Sequence, residues 1–194
     1  MTNSLIGFGQ VDYVTKTQLK RDSIDAEFSD TATTILDENA LNSFTGLHYF
    51  PFNDKYLIEA TFKKKLGKPF KMSTSTNRLP IYRRYGVLTF EVDGVKCKLN
   101  LYQGIKSMQN DSALNDYLFC PFKDQSNTDS TYGGGRYLDF KLSDVSKTVL
   151  IDFNQCYNPY CAYSNRYSCP IPPKENILSV RIDAGVKKPN QEIH

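Results

Sequence analysis

Apolar and polar residues alternate along much of the chain after Tyr56, which is the pattern of half-buried β-strands. The stretches are bounded by Gly, Pro, Asn and Asp, as strands usually are. We expect strands at residues 56–62, 70–74, 83–92, 117–122, 137–142, 148–153 and 177–184. With the partner strand after residue 94, this makes about eight strands at hairpin spacing without intervening helices, which favours an antiparallel sheet.

The clearest local signal is Asp93-Gly94, a dipeptide typical of a two-residue type I′ hairpin turn. A turn at these two residues fixes which residues face one another across the hairpin. The predicted pairs are Val92 with Val95, Glu91 with Lys96, Phe90 with Cys97, Leu88 with Leu99, and Tyr85 with Tyr102.

Before the strands, Leu19, Ile24 and Phe28 recur at helical spacing, so residues 15–28 are predicted to form a short amphipathic helix. A second short helix is expected to begin after Asp37 as its N-cap. The predicted fold class is therefore mainly β (α+β), an antiparallel β-barrel or sandwich with short N-terminal helices. We expect a flexible N-terminus over residues 1–14, a single domain over 15–186 and a mobile tail over 187–194.

Composition excludes some partners. The net charge is only +3 and the basic residues are distributed along the chain, so we predict no nucleic-acid partner. The densest basic run, Lys63-Lys64-Lys65 with Lys68, surrounds Gly67 and is interpreted as a solvated hairpin turn; the alternative is contact with an anionic partner.

The chain begins without a basic region followed by an apolar one, and no stretch reaches the length of a membrane span. We therefore expect a cytoplasmic location and no membrane partner. The five cysteines are an odd number in a chain of 194 residues, which favours reduced thiols over a disulfide framework.

A glycine-rich segment, residues 132–139, is the first candidate for chemistry. Gly133, Gly134 and Gly135 would let backbone N–H groups approach a ligand, and Arg136 beside them would hold a carboxylate or phosphate. The alternative is a bulged entry into a strand, with Arg136 paired structurally to Asp139 or Asp152.

A Tyr- and Pro-rich segment, residues 152–176, is the second candidate. An irregular stretch of this length inside a domain either packs on itself or lines a site. In the first case its tyrosines supply a small core of their own; in the second, polar side chains face a pocket. The candidates for that pocket are Asp152, Asn154, Asn158 and Tyr163.

These two segments resemble the motifs of domain-of-unknown-function family 1684 of bacteria and archaea. The shared stretches are Tyr-Gly-Gly-Gly-Arg-Tyr-Leu-Asp over residues 132–139, and Asp-Phe-Asn with Tyr-Asn-Pro-x-Cys-Ala-Tyr and Cys-Pro-x-Pro-Pro-x-Glu-Asn over residues 152–176. The similarity covers roughly residues 26 to 186. It implies membership of the family, but it assigns no activity, cofactor or catalytic residue.

Cys161 and Cys169 are redox candidates, either as a disulfide or as a thiol pair, although packed thiols are the favoured interpretation. Their spacing with Cys156 and His48 matches no common zinc arrangement, so no metal site is predicted. Acid–base chemistry would have to use Asp152, Asp139, Tyr or Cys.

The preferred hypothesis is a domain that binds a small anionic molecule in a β-barrel pocket. Arg136 and its neighbouring glycines would meet the anion, the polar side chains of the second segment would orient the ligand, and Tyr102 and Gln103 would line the wall. One rival is an enzyme, a hydrolase using Asp152 with Arg136 or a thiol oxidoreductase using Cys161 with Cys169. The other is a protein-interaction module. The sequence indicates no particular cofactor or oligomeric state.

Overall fold

The computed structural model describes residues 8–105 and 115–189 of the chain. Two helices precede the strands, α1 (Phe8–Ser29) and α2 (Glu38–Asn42). The strands in the described residues are β1 (Leu57–Lys64), β2 (Phe70–Lys71), β3 (Ile81–Val92), β4 (Val95–Gly104), β5 (Tyr117–Phe122), β6 (Arg136–Lys141) and β7 (Thr148–Asp152).

The strands form one antiparallel sheet in the order β6-β5-β4-β3-β1-β7, with β2 paired to β3. The sheet curls into a half-barrel, which confirms the predicted class of a mainly β fold with a small helical part. Strands β6 and β7 are the two edges of this sheet. The chain that follows β7 returns to β6, where Tyr157 forms an antiparallel bridge with Tyr137.

The main core covers one face of the sheet. It includes Leu88, Leu99 and Leu118, which are fully buried, and it is completed by the segment at residues 178–184. A second cluster around Met72, Tyr102, Phe119 and Tyr137 gathers side chains of the other face of β4 and β5. A third cluster attaches the end of α1 to the Tyr-rich segment, with the Phe28 and Tyr163 rings 5.1 Å apart.

The prediction of a strand at residues 177–184 is wrong. Alternate residues of this segment are indeed buried, but its backbone forms only one isolated bridge, from Ile177 to Lys123. The alternation arises because one side of an extended chain packs on the core, and packing of this kind needs no ladder of hydrogen bonds. The predicted strand at residues 70–74 is also shorter, since β2 contains only Phe70 and Lys71.

The Asp93-Gly94 turn has positive φ at both residues, 49° and 77°, as a type I′ turn requires. Four of the five predicted cross-strand pairs are confirmed, from Val92 with Val95 to Leu88 with Leu99. The pairing of Tyr85 with Tyr102 is wrong, because a bulge between Arg84 and Gly86 shifts the register, and Arg84 faces Tyr102 instead.

Both helices are present, with one changed boundary. Helix α2 begins after Asp37 as predicted, and the Asp37 side chain accepts the Ala40 N–H at 2.8 Å. Helix α1 already begins at Phe8, seven residues before the predicted start at residue 15. Residues 1–7 lie outside the described residues.

The start of the C-terminal tail, which the sequence predicts to be mobile from residue 187, forms two backbone hydrogen bonds with the domain. The Lys187 N–H donates to His48 O at 2.7 Å, and the Lys188 N–H donates to Ser130 O at 3.1 Å. Residues 190–194 lie outside the described part of the chain. Neither helix of the described ranges has the length and apolar character needed to cross a bilayer.

Candidate ligand-binding cleft

The two motif segments meet in space. The backbones of Tyr137 and Tyr157 exchange two hydrogen bonds of 2.9 and 3.1 Å, which place the Tyr-rich segment along the edge of β6. The glycine turn contacts the same segment, since Gly135 packs against Pro172 and Tyr132 against Cys161. The two segments are therefore neighbours, as the binding hypothesis requires.

Arg136 does not face a recess between the two segments. Its side chain is 0% exposed and donates to Asp124 Oδ2 and to the carbonyl of Ile182, both at 2.8 Å. The Arg136 guanidinium also donates to the carbonyl of Ala184. Arg136 thus fastens the 182–186 segment to the sheet, as in the structural interpretation, although its partner is Asp124 and not Asp139 or Asp152.

The glycines of this turn are required by close packing. Gly135 has φ +98°, and a Cβ there would lie 2.6 Å from Phe122 O. A Cβ on Gly134 would lie 2.2 Å from the Tyr132 ring, and one on Gly133 would lie 3.3 Å from the Thr128 side chain. The backbone therefore approaches protein atoms at these positions, where the binding hypothesis placed a ligand.

Asp152 and Asn154 form a structural network at the end of β7. The Asp152 carboxylate accepts the Asn154 N–H at 3.0 Å and the Gln155 amide at 2.8 Å. The buried Asn154 amide exchanges two hydrogen bonds of 3.0 Å with the backbone of Asn53. Both side chains thereby hold the chain ahead of β1 against the end of β7.

Tyr102 and Gln103 are buried on β4, where Tyr102 belongs to the same packed cluster as Tyr137 of the first motif segment. Burial raises the pKa of Tyr102 to about 12, so its hydroxyl stays protonated near neutral pH. Gln103 accepts two hydrogen bonds from the Arg83 guanidinium. Neither lines the cleft between α1 and the edge of β6.

Asn158 and Tyr163 are predicted site residues that line this cleft, whereas Asn154 lines only a small hollow of about 10 Å³ beside α1. The Asn158 amide donates to the Tyr163 hydroxyl and to Lys187 O, both at 2.9 Å. Its Oδ1 is buried and has no hydrogen-bond partner among the described residues. Leaving a buried acceptor unpaired costs free energy, so this oxygen is a candidate for contact with a ligand or water.

The cleft lies between α1 and the edge of β6 and has a volume of about 250 Å³. Its wall is mostly apolar, with carboxylates and hydroxyls at a few points. We call it the α1–β6 cleft; it is lined by Lys20, Ile24, Glu27, Phe28, Leu47, Asp139, Tyr157, Asn158, Tyr160 and Tyr163.

A carboxylate bound by two tyrosines stands at one side of this cleft. Tyr117 and Tyr157 donate to the same oxygen, Asp139 Oδ1, at 2.6 and 2.8 Å. Burial is the main cause that raises the pKa of both phenols, so both remain donors. Asp139 itself is exposed, and its second oxygen takes no hydrogen bond from the described residues.

Sequence reasoning named Asp139 only as a candidate acid or structural partner, and it did not assign Tyr157 to the site. Asp139 ends the first motif and Tyr157 opens the core of the second. Both residues belong to the motifs that carry the resemblance, and this is a signal that could have identified them as site residues.

Comparison with known proteins identifies the family of the chain. The model of the family described as "Protein of unknown function (DUF1684)" matches residues 42–187. The chain belongs to the DUF1684 family. An uncharacterised protein from Haloarcula marismortui, solved by solution NMR, is similar over 92% of this chain and 96% of its own, with 31% identity and a TM-score of 0.70. No curated protein matches.

The thiols of this DUF1684 domain are all buried and free. The Cys161 N–H donates to Cys169 Sγ at 3.2 Å, so the two redox candidates are neighbours. The hydrogen bond with the Cys161 side chain, followed by burial, raises the pKa of Cys169. This environment disfavours the thiolate that redox chemistry requires.

A larger hollow of about 600 Å³ lies beside α2 and is lined by His48, Lys187 and Lys188, among others. Its two lysine ammonium groups have other contacts: Lys187 Nζ lies 5.0 Å from the Phe50 ring, and Lys188 Nζ donates to Thr128 O at 3.4 Å. Over the described residues, no three His, Cys, Asp or Glu side chains are grouped as metal ligands.

Proposed function

We propose that this domain binds a small molecule in the α1–β6 cleft, and that the ligand has an apolar body and a hydrogen-bond donor, an amine or a hydroxyl. The observation that carries the proposal is the convergence of both motif segments there. Asp139 comes from the first segment, whereas Tyr157, Asn158 and Tyr163 come from the second. A recess of about 250 Å³ suits a ligand smaller than an ordinary drug molecule.

The chemistry of the lining supports a donor on the ligand. Asp139 Oδ2 and Asn158 Oδ1 are acceptors without partners among the described residues. Glu27 adds a second carboxylate, which accepts from the Tyr160 hydroxyl at 3.3 Å. Ile24, Phe28 and Leu47 supply the apolar wall. An ammonium group would gain a charge-assisted hydrogen bond from Asp139.

An anionic ligand, the expectation from the sequence, has less support at this position. The cleft contains two carboxylates, Asp139 and Glu27, and one cation, Lys20, which already donates to Gln155 at 3.3 Å. The cation on which that expectation depended, Arg136, is fully buried against Asp124. The interior of the half-barrel is occupied by the main core, so the proposed pocket lies outside it.

The rival functions lack comparable support. The side chains of Asp152 and Arg136 bind different partners, Asn154 and Asp124, so they do not form a catalytic pair. A protein-interaction surface on the Tyr- and Pro-rich segment would need exposed apolar side chains there; Tyr160 is 39% exposed but packs on Tyr167, and Pro172 is buried. The five free thiols support our proposal of a reducing, cytoplasmic location.

The experiment is an NMR screen with small primary amines and alcohols, recorded as chemical-shift changes in the α1–β6 cleft. Asp139→Asn keeps the shape and the tyrosine contacts but removes the charge. Because a charge-assisted hydrogen bond contributes about 1.5–3 kcal/mol, the affinity for an amine should fall by about 10-fold or more. The control is Asp93→Asn, an exposed turn aspartate where asparagine is equally suitable.

Two results would refute the proposal. One is that no member of the set shifts resonances of Ile24, Tyr157 or Tyr163. The other is that Asp139→Asn and Asp93→Asn bind every hit equally well.

A further inference from the structure

One stretch of the chain contains basic residues but no acidic ones. Residues 60–90 contain eight Lys and Arg and no Asp or Glu, so all 21 acidic residues lie elsewhere. With a net charge of only +3, the remainder of the molecule is therefore negative. This segregation is not visible in the total charge, and it produces a local positive potential.

The fold places five of these cations at one end of the sheet. Lys63 and Lys64 pair with Val87 and Gly86 at the end of β1. The loop that follows turns back onto β3, because the Lys65 N–H donates to Tyr85 O at 3.0 Å and the Gly67 N–H to Arg84 O at 2.9 Å. We define the hairpin patch as these cations together with Leu66: Lys63, Lys64, Lys65, Leu66, Lys68 and Arg84.

None of the five cations forms a salt bridge within the described part of the chain. The four lysines are exposed and Arg84 is half-buried. Leu66, at the centre of the basic loop, is 54% exposed. An exposed leucine in a loop whose cations form no salt bridge among the described residues suits a partner that is both anionic and apolar.

The neighbouring aromatic pair favours lipid over nucleic acid. Phe62 and Tyr85 stack on each other with ring centroids 6.2 Å apart, and Lys64 Nζ lies 5.0 Å from the Tyr85 ring. The facing sides of the two rings are thereby occupied and both rings pack on the main core, whereas proteins that bind single strands present free ring faces to bases.

We propose that the hairpin patch binds the surface of an anionic phospholipid bilayer. Leu66 enters the interface between headgroups and acyl chains, and the lysines contact the phosphates and carboxylates of the headgroups. Clusters of four to eight Lys or Arg are sufficient for such attraction, which falls off within a Debye length of the surface. This association needs no membrane-spanning segment, and it does not depend on the α1–β6 cleft.

The test is cosedimentation of the full chain with phosphatidylcholine vesicles, with and without phosphatidylserine. The wild type should sediment only with the vesicles that contain phosphatidylserine. Replacing Lys64, Lys65 and Lys68 by Ala should lower the partition coefficient by roughly 100-fold, since each lysine near the surface contributes about fivefold. The matched control replaces Lys96, Lys98 and Lys174, which are exposed elsewhere, and should bind like the wild type.

Leu66→Ser separates insertion from charge attraction, and it should weaken binding several-fold. Unchanged binding by this variant would overturn the insertion of Leu66. Equal losses in the two triple variants would mean that only total charge matters, which would overturn the hairpin patch as the site. Failure to sediment, or binding of a single-stranded RNA oligonucleotide without binding of vesicles, would overturn the proposal as a whole.

Discussion

Asn176 takes the place of a strand neighbour for Asn100. Its Oδ1 accepts the Asn100 N–H at 2.8 Å, and its Nδ2 donates to Asn100 O at 3.0 Å and to Pro121 O at 2.7 Å. Between β4 and β5 the ladder contains only the pair Tyr102 and Phe119. One fully buried amide therefore joins two strands where their own hydrogen bonding has ended.

Asn176→Leu should lower the free energy of unfolding by about 3 kcal/mol or more, because it leaves three buried backbone groups of β4 and β5 without partners. Urea unfolding measures the difference. Glu175→Ala, a change at the exposed neighbouring residue, should stay within about 0.5 kcal/mol of the wild type. Equal stability of the two variants would contradict the bridging role.

Arg136→Met should cost about 3–5 kcal/mol, since it leaves the Asp124 carboxylate buried without its cation. The comparison is Arg181→Met, which removes a partly exposed arginine from Asp129 and Asp183 and should cost less than about 1 kcal/mol. Chemical denaturation of both variants checks this order. If Arg136→Met were as stable as Arg181→Met, the buried pair would not hold the 182–186 segment.

Gly135→Ala and Gly94→Ala test whether the glycine turn is a packing device. Both glycines have positive φ, so each substitution carries backbone strain of about 1–2 kcal/mol. Only at Gly135 would the new Cβ meet backbone, 2.6 Å from Phe122 O, whereas nothing lies within 4 Å at Gly94. Thermal unfolding should show Gly135→Ala to be less stable than Gly94→Ala by roughly 2 kcal/mol. Similar stabilities of the two variants would mean that the turn can accommodate a Cβ at Gly135.

The stability of the domain should fall at alkaline pH. Burial, offset in part by Arg136, raises the pKa of the Cys156 thiol from 9.0 to about 11. Between these values the unfolded chain has lost the proton and the folded chain retains it, so the free energy of unfolding decreases as pH rises. The contribution is fully present below pH 9 and is lost by about pH 11.

Cys156→Ala removes this contribution. Under reducing conditions, its urea-unfolding free energy should decline less than that of the wild type between about pH 9 and 11, by roughly 2 kcal/mol. The comparison uses slopes, because loss of the sulfur also lowers stability at every pH. Parallel curves for the two proteins would show that Cys156 ionises equally easily in both states.

Features encoded within a few residues were predictable from the sequence. Asp93-Gly94 set the turn and four cross-strand pairs, Asp37 set the start of α2, and residues 117–122 form a strand with the predicted bounds. Turn conformation, capping and alternation depend on neighbouring residues, so they can be identified without the rest of the chain.

The partners of the functional candidates could not be predicted in the same way. Sequence reasoning brought the two motif segments together but placed the recess at Arg136, whereas the structure places the α1–β6 cleft at Asp139. Sequence reasoning also predicted a strand at residues 177–184. An extended segment packed on a core and a strand in a hydrogen-bonded ladder show the same alternation of buried and exposed residues.

The sequence by itself determined the mainly β class, the hairpin register next to its turn, and the family. Only the tertiary structure decided that Arg136 meets Asp124, that Asn176 bridges β4 and β5, and that Asp139 is open to solvent. Burial and hydrogen-bond partners depend on which distant segments pack together. The residue type of a polar side chain does not reveal whether that side chain contacts a ligand or a backbone carbonyl.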